Sequence, residues 1–250
     1  MTIIYHSKPI DPPPPYSQSQ DVDVPREEET NRNRETIIKH TSQSITGSYD
    51  LLDLLDLSTS SGSIDVTVTP QEAKRSHDAM FKALTSSGRI RANFPKGSTG
   101  SAHRNLKTLV DTSSGSVLGS FTLGSSTTLE SLSGKIDVLV SAPTGIGRSA
   151  LFTGGASGIQ MIDIISESGE RLNDVHIRSG STSGNILIRV PFEGRISAQS
   201  TSGKVTVEGK GVTIEKDVQG VLRLVEARAG KGNGTIHAST VSGSIRIIIE

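Results

Sequence analysis

The chain is built on alternation. In "SIDVTV", Ile64, Val66 and Val68 fall on one side of an extended segment, and Asp65 and Thr67 fall on the other. That period of two predicts a half-buried strand. The same spacing groups Ile136, Val138 and Val140, then Ile186, Ile188 and Val190, then Ile245, Ile247 and Ile249. In most copies the strand follows one short phrase: a small residue, Ser, Gly, any residue, then Ile or Val. The phrase glycines are Gly62, Gly88, Gly115, Gly134, Gly158, Gly184, Gly203, Gly234 and Gly243, mostly 19 to 31 residues apart, with 9 between the last pair. A repeat of this period predicts a stacked array.

The phrase has a physical reading. Gly turns a corner with a positive φ, and Ser or Thr bonds the local backbone. Stacked coils then hold aliphatic ladders inside and Ser, Thr and charged rows outside. No coil buries its apolar face alone, so stacking is what stabilises the array. The predicted fold is all-β, a β-solenoid or β-helix-like stack of short strands. A β-sandwich is the alternative, because it also gives short alternating strands. The repeated corner phrase favours the solenoid.

Two segments leave alternatives open. "TPQEAKRSHDAMFKAL" fits a helix capped by Thr69 with Pro70 at its first position. It also fits a loop followed by a strand, since Met80, Lys82 and Leu84 alternate. The last residues, "SIRIIIE", read as an apolar edge strand, to be covered by the N-terminal segment or paired with another copy.

Residues 1–35 break the pattern with a proline run, Gln and Ser, and the charged string "PREEETNRNRE". They read as a disordered tail before one repeat-built domain, 36–250. The tail contains Pro-Pro-x-Tyr at Pro13, Pro14 and Tyr16. Such a segment is a preformed polyproline II helix of the kind WW domains grip. A WW-domain protein, such as a WW-bearing ubiquitin ligase, is the partner this motif predicts.

Composition narrows the chemistry. Aromatics are 3%, so the core must be built from Ile, Val and Leu. The formal net charge is zero, and basic residues are scattered without aromatics for base stacking. Nothing in that balance points to nucleic acid. Cys is absent, which removes thiol catalysis, Cys-bound zinc and disulfides. The first residues contain no apolar stretch of signal-peptide length, and no ~20-residue apolar run occurs, so the expectation is a cytoplasmic protein without a membrane span.

"LFTGGASGIQMIDII" nearly spells a dinucleotide-binding turn, with Thr153, Gly154 and Gly158, but Gln160 stands at the last Gly position. The tyrosines, Tyr5, Tyr16 and Tyr49, all lie upstream, where the proton donor of a short-chain dehydrogenase does not. Gly158 reads better as another corner, and no cofactor is expected. Asp65, Asp137 and Asp163 sit on repeat strands, where outward carboxylates could line a groove for acid–base work on a polysaccharide. The plainer reading is solvated charge that discourages edge pairing. Asp53 and Asp56 alternate with Leu at the start of the repeats. His6, His40, His77, His103, His176 and His237 show no metal-ligand spacing. Asn233 opens an Asn-Gly-Thr sequon that reads as a turn.

"GSYDLLDLLDLSTSSGSIDVTVTP", "VDTSSGSVLGSFTLGSSTTLESLSGKIDVLVSAP", "STSGNILIRVPFEGRISAQSTSGKVTVEGKGV" and "STVSGSIRI" together resemble the fungal branch of an adhesin-type domain family of unknown function. The resemblance covers roughly residues 44–250. It implies stacked short strands and brings no catalytic residues. Three functions follow as expectations. The first is a non-enzymatic intracellular scaffold or binding module with a WW-binding tail. The second is an adhesin-like protein of the cell surface or cell wall. The third is a polysaccharide-active solenoid enzyme.

Overall fold

A computed structural model describes residues 34–72, 78–96 and 105–250. The tail and its Pro13, Pro14 and Tyr16 motif lie outside the described residues.

Alternating sequence becomes twenty strands, in pairs. In chain order they are β1 (Glu35–His40) and β2 (Ile45–Leu51), β3 (Leu54–Thr59) and β4 (Ile64–Pro70), β5 (Ala79–Thr85) and β6 (Ile90–Asn93), and β7 (Leu106–Thr112) and β8 (Val117–Thr122). There follow β9 (Ser126–Ser131) and β10 (Ile136–Ala142), β11 (Ser149–Ser157) and β12 (Gln160–Ser166), and β13 (Val175–Ser183) and β14 (Ile186–Val190). The last are β15 (Gly194–Ser202) and β16 (Val205–Gly209), β17 (Val212–Val218) and β18 (Arg223–Ala229), and β19 (Gly234–Ser242) and β20 (Ile245–Ile249). No α-helix occurs among the described residues. The segment after Pro70 resolves in favour of a strand, β5, whose Ala79, Phe81 and Ala83 point inward.

Nine coils stack. Each gives one strand to an 11-stranded sheet, here sheet A, and one to a 9-stranded sheet, sheet B. Neighbouring coils pair in parallel and in register, so Ile64, Ile90, Val117 and Ile136 form one continuous ladder. The body is a β-solenoid, roughly 40 Å long at the ~4.8 Å strand spacing. The two sheets enclose a core of Ile, Val and Leu with Phe81, Phe94 and Phe121. Phe81 and Phe94 meet edge to face at 5.4 Å, an arrangement aromatic quadrupoles favour.

The corner phrase has a different cause from the one expected. A positive φ occurs at Gly158 (118°) and at Gly243, but not at Gly62, Gly88, Gly115, Gly134, Gly184 or Gly203. Packing demands glycine instead. A Cβ on Gly88 would overlap the carbonyl oxygen of Gly62, one on Gly115 that of Gly88, and one on Gly134 that of Gly115. The eight corner glycines therefore form one close-packed column. Beside it, the hydroxyl of Thr85 accepts from the Gly88 amide and donates to the Gly62 carbonyl, at 3.1 and 3.0 Å. Thr112 does the same between Gly115 and Gly88. Ser131, Ser200 and Thr240 donate to the carbonyls of Gly115, Gly243 and Gly184. Each bond satisfies backbone groups that the corner would otherwise bury unpaired. Gly234 is not in the column: it opens β19 beside Gly194 and the Phe192 ring.

The C-terminal strand is not an edge. After β14 the chain skips one level, builds β15 and β16, and adds the antiparallel hairpin β17–β18 to sheet A. It then returns, and β19 and β20 fill the vacant level. There β19 pairs with β13 and β15, and β20 with β14 and β16. Neither an N-terminal cover nor a second copy is needed over Ile245–Ile249.

Candidate functional site

With the interior given mainly to aliphatic ladders, the charged groups lie on the outer faces of the two sheets. On sheet B, Asp65, Arg91, Leu118 and Asp137 share one outward row. Asp65 and Asp137 are three strands apart, about 14 Å at the usual spacing. That exceeds the roughly 5–9.5 Å between paired carboxylates of glycosidases. Asp163 lies diagonally beside Asp137 on the next strand, opposite Leu139. Each of these two has its own cation. Lys135 Nζ reaches Asp137 at 2.6 Å, and Arg189 Nη1 grips Asp163 at 2.9 Å. With Leu118 and Leu139 they border an open groove of about 350 Å³. Both pairs are about 40% exposed, so they order the surface more than they stabilise the fold.

The other carboxylates flagged from sequence also have structural company. Arg34 binds Asp53 at 2.7 Å, and its pKa is raised chiefly by that hydrogen bond. Asp56 points outward from β3 toward Lys82 at 3.5 Å. The near-dinucleotide turn is a strand–corner–strand: β11 ends at Ser157, β12 starts at Gln160, and no helix N-terminus faces Gly158. Gln160 occupies an inward position that is Ile in most coils. Its carbonyl oxygen accepts from Thr153 and Ser179 at 2.9 and 2.7 Å, and its amide donates to the Gly180 carbonyl at 2.7 Å.

Sequence reading missed the outer face of sheet A near the C-terminal end. Returning β19 places Thr235 and His237 between β13 and β15. Across five adjacent strands, His176, Thr235, Arg195, Arg228 and Thr213 share one row. Arg178, His237, Ser197, Glu226 and Lys216 share the next. An open groove of about 480 Å³ runs between the rows. Nδ1 of His176 lies 2.8 Å from the Thr235 hydroxyl. His40 sits at the end of β1, and His6, His77 and His103 fall outside the described residues. Among the described residues no three His, Asp or Glu side chains converge as metal ligands. Among the described residues no helix is long and apolar enough to cross a membrane.

Comparison of the chain with protein-family profiles, with curated proteins and with solved structures returned no match.

Proposed function

We propose that this chain is a non-enzymatic binding module: a rigid solenoid body carrying a WW-domain ligand at Pro13, Pro14 and Tyr16. The observation that carries the reading is where the polar groups are used. Corner hydroxyls hold the coils together, and Asp137 and Asp163 are held by Lys135 and Arg189. A body built this way presents fixed faces and keeps its shape when the Pro13–Tyr16 motif is captured. Titration of the full chain against a panel of WW domains tests it. Binding in the micromolar range, lost in Tyr16→Ala, supports the module. No binding to any of the panel contradicts the partner assignment.

The adhesin-type resemblance supports a surface role for the same body. Protease treatment of intact cells carrying a C-terminally tagged copy separates the two readings. Protection until lysis favours the module inside the cell, and cleavage on intact cells favours the surface role.

A further inference from the structure

The groove on sheet A has a charge arrangement that folding alone does not explain. Arg195 and Arg228 stand directly opposite each other on β15 and β18, and both point outward. Like charges so placed destabilise a sheet. Several cations elsewhere on the body are held by carboxylates, as in Lys82–Asp56, Lys107–Asp78 and Arg246–Glu208. Among the described residues no carboxylate forms an ion pair with Arg195, Arg228 or Arg178, and Arg228 donates only to the Gly230 carbonyl at 3.2 Å. Beside them lie the hydroxyls of Thr235 and Ser197 and the imidazole of His237. Glu226 and Glu215 also line the groove, Glu226 paired across the strands with Lys216.

We propose that this groove is a binding site for a single oxyanion group, bridged by Arg195 and Arg228. Two arginines at paired strand positions can offer the forked N–H donors that carboxylate, sulfate and phosphate accept, with Arg228 Nε already given to the Gly230 carbonyl. Ser197 and His237 supply further hydrogen-bonding groups from the neighbouring strands, and the Thr235 hydroxyl, held 2.8 Å from His176 Nδ1, borders them. Glu215 and Glu226 add negative charge to the same lining and so disfavour a polyanion. The ligand is therefore a small molecule or substituent with one anionic group and hydroxyls or amines beyond it, not a polyanion. The site is independent of the N-terminal motif, so either can fail without the other.

The test is NMR titration of the full chain with inorganic phosphate, sulfate and glucuronate, each at constant ionic strength. The expected result is saturable shifts of Thr235, His237 and Arg195 amides. Arg195→Gln should weaken the binding at least tenfold, while Arg89→Gln, at the corner that leads into β6, leaves it unchanged. Preference for phosphate or for glucuronate identifies the source of the oxyanion. A second readout needs no ligand: Arg195→Gln melts higher than the parent in anion-poor buffer, because it removes a facing like charge. Absence of saturable shifts with all three probes, or equal loss in both variants, would overturn the site.

Discussion

At the scale of the residue, the account turns on what sits next to each corner glycine. Gly115 lies between the Gly88 carbonyl below and Gly134 above. Gly115→Ala should therefore lower stability by about 2–3 kcal/mol, the usual cost of forcing extra volume into packed backbone. Gly147→Ala, where nothing lies within 4 Å, should change it by less than about 0.5 kcal/mol. Chemical denaturation of both variants checks the pair. The positions of these glycines were plain from the repeated phrase. Their cause was not, because the crowding atom belongs to the previous coil and no local pattern reports it. The first coil shows the same logic from the other side. Gln43 stands where later coils have Gly, and its carbonyl accepts from Thr59 at 3.0 Å. Among the described residues no coil stacks beyond it, so a side chain fits.

At the scale of the element, strands after the corner were easy to read and strands before it were not. Sheet B strands such as β4 and β14 fill each inward position with Ile or Val. Sheet A strands put Ala, Ser and Thr inward, as at Thr153, Ser179 and Ala238, so their alternation is weak in hydropathy. The coil containing β11 and β12 carries this furthest. There Gln160 replaces an aliphatic residue and is satisfied by Thr153, Ser179 and the Gly180 carbonyl. Gln160→Ile alone should lower the melting temperature, because it strands two buried hydroxyls at a cost of roughly 1–3 kcal/mol. The combined change with Thr153→Val and Ser179→Ala should recover most of that loss. Equal destabilisation by the single and triple variants would mean the network is not what holds this coil.

At the scale of the whole molecule, chain order and spatial order part company. Nearly every coil carries the same phrase, so nothing in the alternation marks the coil from β19 to β20 as belonging between two earlier ones. The carboxylates on sheet B were visible in sequence because they lie within recognisable repeats. The facing arginines were not, because Arg195 and Arg228 meet through an antiparallel hairpin, and Thr235 and His237 arrive only when the chain returns. The inserted coil thus builds both the closing level of the core and the groove above it.

Site-resolved amide hydrogen exchange on the full chain tests that insertion most directly. A terminal edge strand frays and exchanges early, whereas a strand paired on both sides opens only with the body. The insertion predicts that Ile245, Ile247 and Ile249 exchange as slowly as Ile162 and Ile188 in the neighbouring coils. Fast exchange of the last strand, with β14 and β16 protected without it, would contradict the topology and remove Thr235 and His237 from the groove.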